Sequence, residues 1–255
     1  MGFGRKLQDM LDLPQEEQFL TTIGRNYSSH RFLANSTQAV YVRYIDELSS
    51  LLMARYHRPA GEITVLDWGC GKGQISYLLR RRGFQVTSCD VESVSLDSAF
   101  AQDTPIIDQL EMSVVPLQPE SELPFANGSF DCVVSFGVLE HVPSDEASMK
   151  ELRRVLKPGG RLFITFLPYF LSWTQAAARR RGEIYHERLY SRRRVRELAR
   201  GSNFEVESLR FGQLFPKNSV SLSWGRYLEP IDRLLCGFTP MRHFATNLEA
   251  VLTAI

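Results

Sequence analysis

The chain has 255 residues, a net charge of +1, and 44% hydrophobic and 23% charged residues, which is the composition of an ordinary globular protein. The near-neutral charge gives no general attraction to nucleic acid. No apolar run reaches the roughly 20 residues that cross a bilayer, and the first residues lack the apolar stretch of a secretory signal. We therefore expect a cytoplasmic protein. The cysteines lack the paired spacing of a zinc site and are expected to be reduced, structural thiols: Cys70, Cys89, Cys132 and Cys236.

The first part of the chain predicts helices. Apolar residues recur at helical spacing in "AVYVRYIDELSSLL", so residues 1–60 are predicted to form a helical cap or lid outside the main sheet. From Ile63 onward, short β-branched runs alternate with helical stretches, in the order "ITVLD", "QISYLLRRR", "FQVTSCD" and "SVSLDSAFA". This alternation predicts a parallel sheet covered by helices.

The same series continues toward the C-terminus. A weak strand at "SVVPL" and a strong one at "FDCVVSF" precede a helix at "SDEASMKELRRVLK", which Ser144 caps, then a turn at "KPGG" and a strand at "RLFITFLP". Residues 169–203 predict a basic helical region, followed by strands at "FEVESLRFGQLF" and "NLEAVLTAI". The segment between these two strands mixes aromatic residues with turn formers, and residues 214–243 are predicted to be an inserted lid.

Three closely spaced glycines suggest a ligand near the backbone. Gly69, Gly71 and Gly73 follow a strand and precede a helix, the arrangement that lets a nucleotide-like ligand touch bare backbone. Asp90 ends the next strand, where a carboxylate can accept hydrogen bonds from both ribose hydroxyls. The spacing differs from the dinucleotide fingerprint, and the preceding Asp67 is poorly placed for a pyrophosphate. A cationic ligand is favoured.

These residues resemble the class I S-adenosylmethionine-dependent methyltransferases, of the type 11 kind. The family's first motif, a hydrophobic residue followed by D-x-G-x-G-x-G, is matched from Leu66 to Gly73, and the resemblance continues through Leu123–Pro168 and "HERLYSRRRVRELARGSNFEVES". It implies an α/β fold, a doubly wound, mostly parallel seven-stranded sheet with helices on both faces. It also implies a Rossmann-like methyltransferase domain over residues 61–255 and S-adenosylmethionine as the cofactor.

The resemblance also implies a set of cofactor contacts. The first motif would approach the methionine part, Asp90 would bind the ribose, Val91 would flank the adenine, and the residues ending the fourth strand would close the pocket. The implied residues are Asp67, Trp68, Gly69, Cys70, Gly71, Gly73, Asp90, Val91, Ser135 and Phe136. Related proteins often place an acidic residue for the adenine amino group where this chain has Pro119.

Two histidines are candidate general bases for methyl transfer: His141 in "LEHV" and His186 in "YHERLYS". Each also has a structural interpretation, because Glu140 and His141 recur in this fold as a pair that holds the loop, and His186 could pack beside Tyr190. Some related quinone-biosynthesis O-methyltransferases carry E-x-x-E-H here for a cation, but this chain has Gly137 at the first acidic position. We therefore expect no metal.

The acceptor is less defined by the sequence. The stretch "ARRRGEIYHERLYSRRRVRELAR" is rich in arginine, which fits a solvated helix, an anionic substrate, an anionic membrane surface or RNA. No dedicated RNA-binding region is evident, so a small-molecule, saccharide or lipid-linked acceptor is preferred, and nucleic acid is disfavoured. Peripheral membrane contact and the oligomeric state stay open. The alternatives are an RNA or protein methyltransferase, or a non-catalytic partner subunit that binds S-adenosylmethionine.

Overall fold

The computed structural model describes residues 13–91, 104–118, 122–183, 186, 188–215 and 222–255. Its strands are β1 (Thr64–Trp68), β2 (Gln85–Val91), β3 (Val114–Leu117), β4 (Phe130–Phe136), β5 (Leu156–Pro168), β6 (Phe204–Gly212) and β7 (Asn247–Ala254). Its α-helices are α1 (Leu13–Asn26), α2 (Ser36–Tyr56), α3 (Gln74–Arg81), α4 (Pro105–Gln109), α5 (Asp145–Val155), α6 (Trp173–Arg180), α7 (Arg192–Gly201) and α8 (Leu222–Phe238). Short 3₁₀ helices cover Ser28–Ala34, Ala60–Glu62 and Pro240–Phe244.

The strands form one seven-stranded sheet in the order β3-β2-β1-β4-β5-β7-β6. Neighbouring strands from β3 to β5 run parallel, whereas β7 is antiparallel to both β5 and β6. The predicted mostly parallel sheet is confirmed. Its central strand β4 is buried along nearly its whole length, as expected for a parallel strand covered on both faces.

Helices cover both faces of the sheet. Alternate residues of β1 show this, because Val65 packs in the core with α1, α2 and α3, and Leu66 packs in the core with α5 and α7. Side chains of a strand alternate between faces, so the two cores lie on opposite sides of the sheet. This arrangement is the predicted doubly wound fold.

The helix after β4 forms as predicted. The backbone amide of Ala147 donates to Ser144 Oγ at 3.2 Å, which caps α5, and the apolar face of the helix is buried. The strand that follows begins earlier than predicted. Leu156 already pairs with Phe130, so the "KPGG" turn lies within β5, at a register shift where Gly159 has φ +74°. A glycine with positive φ lets the strand resume pairing after the bulge.

Other elements differ from the expectations in extent. The basic region forms two short helices, α6 and α7, and the following strand β6 ends at Gly212, before "QLF". The predicted lid contains α8 and the 3₁₀ helix Pro240–Phe244, while the expected helix at "SVSLDSAFA" lies outside the described residues. The boundaries at residue 60 and at residues 214–243 stay predictions. Within the described ranges, no helix combines the length and the apolar character that a bilayer crossing needs.

Candidate functional site

The residues implied as a cofactor site meet at one edge of the sheet. Strands β1, β2 and β4 are adjacent and parallel, so their carboxyl ends lie side by side. The glycine loop follows β1, Asp90 lies near the end of β2, and Phe136 ends β4. Ligands of open α/β sheets bind at such an edge, where neighbouring loops diverge.

The three glycines of the loop have different roles. All have positive φ: +73° for Gly69, +50° for Gly71 and +85° for Gly73. A Cβ atom on Gly69 would lie 2.4 Å from Val138 Cγ2, and one on Gly73 would lie 2.9 Å from Ile107 Cγ1. A Cβ atom on Gly71 would meet nothing within 4 Å. Gly69 and Gly73 are therefore needed for packing, whereas Gly71 borders open space in which a ligand can lie.

Asp90 is held against this loop. Its Oδ2 accepts a hydrogen bond from the Gly71 amide at 2.5 Å, and its Oδ1 accepts one from the Val91 amide at 2.7 Å. Burial raises the pKa of Asp90, and these two hydrogen bonds oppose the shift. A carboxylate has about four acceptor positions, so this geometry leaves capacity for two ribose hydroxyls.

Asp67 is buried beneath the loop. Its Oδ2 accepts a hydrogen bond from Ser76 Oγ at 2.6 Å, and Ser76 Oγ lies 2.7 Å from Ser88 Oγ, so the carboxylate links β1 to α3. Burial raises the pKa of Asp67 to about 7. A cation bound beside the loop would favour the ionised form, because opposite charges lower the pKa of a carboxyl group. The side chain thus both positions the loop and supplies negative charge to it.

The other implied cofactor residues are mostly buried. Trp68 and Cys70 are buried, and burial raises the pKa of the Cys70 thiol, which keeps it neutral. Ser135 Oγ is buried and has no hydrogen-bond partner in the described part of the chain. Val91 is 49% exposed at the end of β2, where an apolar side chain can lie against a base. The orphaned hydroxyl of Ser135 and the open space at Gly71 both fit a ligand with polar groups.

An aromatic cluster covers the end of β4. The ring of Phe136 lies 6.3 Å from that of Tyr41, 6.0 Å from that of Tyr44 and 6.0 Å from that of Phe166, measured between centroids. Tyr41 and Tyr44 come from α2, and Phe166 has φ +59°, a backbone strain that often occurs at functional sites. No motif in the sequence predicts this cluster. Only the helical spacing of the two tyrosines gave a signal.

The two candidate bases lie together beside a buried carboxylate. The rings of His141 and His186 are 5.5 Å apart, and His141 Nε2 lies 3.9 Å from Glu140 Oε1. Ligand atoms of all three side chains lie within 4.8 Å of one another, so the trio is close enough together to ligate a cation if one binds there. His186, from outside the loop, contributes the third ligand atom of this trio.

Burial controls the protonation of this trio. It raises the pKa of Glu140 to about 7 and lowers the pKa of His141 and of His186, which His141 lowers further. Glu140 Oε2 and His186 Nδ1 are buried and have no hydrogen-bond partner among the described residues. Neutral imidazoles can accept a proton, as a general base must.

The loop that carries Glu140 and His141 is anchored from the segment before α7. Arg188 donates to the carbonyl oxygen atoms of Leu139 at 3.1 Å, Val142 at 2.7 Å and Pro143 at 3.1 Å. Tyr190, which is fully buried, donates from its hydroxyl to the Leu139 carbonyl at 3.0 Å. These contacts fix the loop against the segment that bears His186.

Among known structures, this chain resembles methyltransferases in fold. It aligns with an S-adenosylmethionine-dependent methyltransferase of Methanosarcina mazei at TM-score 0.52 and 19% identity, over 80% of this chain and 96% of the other. It aligns with one of Archaeoglobus fulgidus at TM-score 0.52 and 15% identity, over 82% and 94%. At such identities the likeness concerns the fold alone. The fold is thus the Rossmann-like fold of these methyltransferases.

Part of the chain is similar in sequence to known methyltransferases. Residues 66–164 match the family described as "Methyltransferase domain". A ubiquinone biosynthesis O-methyltransferase of Xanthomonas oryzae pv. oryzae is 39% identical over 106 residues, or 40% of this chain and 42% of the relative. One from Caulobacter vibrioides is 33% identical over 122 residues, or 45% and 47%. The chain therefore spans less than half the length of these relatives. Over residues 66–164 it is thus similar to a methyltransferase domain.

Proposed function

We propose that the protein transfers a methyl group from S-adenosylmethionine to a small-molecule acceptor. The observation that carries this proposal is the contact between the Gly71 amide and Asp90 Oδ2 at 2.5 Å, beside open space at Gly71. This hydrogen bond connects two parts of the expected cofactor site. The glycine loop is expected to bind the methionine part of the cofactor, and the carboxylate of Asp90 is expected to bind its ribose. The O-methyltransferase relatives support the proposal through the domain that the chain shares with them.

The cofactor supplies an activated methyl group on a sulfonium, so the protein's main task is to position and deprotonate the acceptor. In this proposal the backbone from Trp68 to Gly73 orients the methionine part, and Asp90 orients the ribose. Phe136 and its aromatic neighbours exclude water from the end of β4. His141 or His186 accepts the acceptor's proton, and Glu140 keeps the two imidazoles in place.

The observed charge pairing favours a small acceptor over RNA. Arg193 pairs with Glu197 at 2.7 Å, Arg194 pairs with Asp145 at 3.0 Å, and Arg181 pairs with Glu183 at 2.9 Å. A surface that binds RNA needs free cations along it, and these three are already paired within the chain. A saccharide or lipid-linked acceptor remains within the proposal.

Peripheral contact with a membrane also belongs to the proposal, together with a cytoplasmic location. Helix α8 and the 3₁₀ helix after it expose large apolar side chains, of which Phe238 is 84% exposed. The others are Ile231, Leu234, Met241 and Phe244. Such a surface suits lipid-linked acceptors. Sedimentation with anionic vesicles, compared between the native chain and Phe238→Ser, tests this part.

The experiment that tests the main proposal is a calorimetric titration with S-adenosylmethionine. We expect saturable binding by the native protein, and binding at least roughly tenfold weaker in Asp90→Ala, because two ribose hydrogen bonds are lost. Asp108→Ala, an exposed aspartate outside the site, serves as the control. Absence of binding by a folded native protein would contradict the proposal. Binding without methyl transfer to any acceptor would instead favour the partner-subunit alternative.

A further inference from the structure

A polar cavity lies beside the aromatic cluster. It has a volume of about 430 Å³ and lies between β6, α8, the start of α7 and the 3₁₀ helix Pro240–Phe244. Arg43 of α2 and Glu249 of β7 form the wall nearest the aromatic cluster, since Tyr44, which contacts Phe136, donates a hydrogen bond to Glu249. The cavity therefore lies next to Tyr44, which contacts Phe136 at the end of β4.

The charges that line this cavity are unevenly paired. On the α2 and α8 side, Arg43 pairs with Glu229, and Arg233 pairs with Glu47 at 2.8 Å. Asp232 is also occupied, because it accepts hydrogen bonds from the Leu214 amide at 2.7 Å and the Phe215 amide at 3.2 Å. The acidic side chains on this side of the cavity thus already accept hydrogen bonds or form ion pairs within the chain.

Two arginines on the opposite side have no such partner. The Nε atoms of Arg192 and Arg242 are buried and make no hydrogen bond within the described residues, where neither side chain forms an ion pair. Arg192 lies over the ring of Phe211, with its Cζ 5.3 Å from the ring centroid. Its Nη2 donates one long hydrogen bond, of 3.4 Å, to the Leu209 carbonyl oxygen. Burial lowers the pKa of Arg192, and the charges of Arg196 and Arg242 lower it further.

Two mutually repelling, partly desolvated guanidinium groups destabilise a protein unless an anion joins them. Guanidinium groups bind carboxylate and phosphate oxygens through paired N–H donors, and Arg192 and Arg242 both line this cavity. We infer that the cavity binds the phosphate or carboxylate group of the methyl acceptor, held between Arg192 and Arg242. This inference rests on the proposed function, and it names an anionic small molecule as the acceptor class.

The test measures anion binding without the cofactor. Inorganic phosphate and succinate are titrated separately into the full chain at constant ionic strength. We expect at least one to bind, and to bind roughly tenfold to a hundredfold more weakly to Arg192→Gln and to Arg242→Gln. Arg193→Gln is the matched control, because Arg193 is the next residue of α7, is exposed and pairs with Glu197. Its affinity should equal that of the native chain.

Thermal unfolding in anion-free buffer separates a ligand site from a structural role. Removing one of two repelling cations should leave the melting temperature of Arg242→Gln equal to or above that of the native chain, whereas a structural arginine would lower it. The inference is overturned if neither anion binds the native chain, or if the control loses as much affinity as the cavity variants. Each variant should bind S-adenosylmethionine normally. If the native chain does not bind the cofactor, the proposed function is rejected. The anion titration, which is done without cofactor, still decides whether the cavity binds an anion.

Discussion

The imidazole rings of His141 and His186 lie 5.5 Å apart, although one follows β4 and the other lies in the segment before α7. Glu140 joins them, with its carboxylate buried and its pKa raised to about 7 by that burial. The three side chains form one unit whose proton content changes near neutral pH. The role of these three side chains in catalysis can be tested separately from cofactor binding.

The first prediction concerns the candidate bases. Replacing the histidine that accepts the proton by glutamine should lower kcat by roughly 10²–10⁴ and leave the affinity for S-adenosylmethionine unchanged. His141→Gln and His186→Gln are compared by kinetics once an acceptor is identified. Because the pKa of each imidazole is lowered, the native activity should persist as the pH falls through about 6.5 and decline only below it. Native rates in both variants would show that the histidines are structural.

The second prediction concerns metals. We expect activity to survive exhaustive chelation, because the loop has Gly137 where related enzymes supply an acidic ligand. The assay compares the chelated protein with and without added magnesium or zinc. Restoration by either ion would contradict the prediction. It would then assign the ion to Glu140, His141 and His186, and His186→Ala should abolish the restoration.

The third prediction separates two glycines of the loop. Gly69→Ala places a methyl group 2.4 Å from Val138 Cγ2 at a positive φ, so it should lower the free energy of unfolding by about 2 kcal/mol or more. Gly71→Ala meets open space and should cost only about 1 kcal/mol. It should nevertheless weaken S-adenosylmethionine binding, since its methyl group occupies the ligand's side of the loop. Urea unfolding and calorimetry measure the two effects, and equal loss of stability in both variants would disprove the distinction.

The fourth prediction uses the buried carboxyl group of Asp67. Its pKa is about 7 in the folded chain and about 3.9 in the unfolded chain, so the folded state binds the proton more tightly. The stability that this group contributes is present at low pH and is lost as the pH rises toward 7. The side chain of Asp67→Asn stays neutral at every pH. The free energy of unfolding of this variant, relative to that of the native chain, should therefore rise by roughly 2–3 kcal/mol between pH 5 and pH 8. Unfolding curves at both pH values test this, and a pH-independent difference would contradict it.

Local patterns predicted most of the sheet. The runs "FDCVVSF" and "NLEAVLTA" correspond to β4 and β7, and the Ser144 cap begins α5. Such features depend on residues close together in the chain, namely β-branched runs, apolar periodicity and capping side chains. The start of β5 was wrong because the pairing of Leu156 with Phe130 across a bulge depends on a neighbouring strand rather than on the local sequence.

By itself the sequence indicated the resemblance to methyltransferases, most of the strands and the residues of the glycine loop, because spacing along the chain carries that information. Only the tertiary structure decided which distant side chains share an environment. It brought His186 to Glu140, placed Tyr41 and Tyr44 over Phe136, and left the Nε atoms of Arg192 and Arg242 buried without a hydrogen-bond partner among the described residues. Burial and proximity determine the pKa values of these groups and whether their polar atoms find hydrogen-bond partners. Both depend on packing between elements that are far apart in sequence.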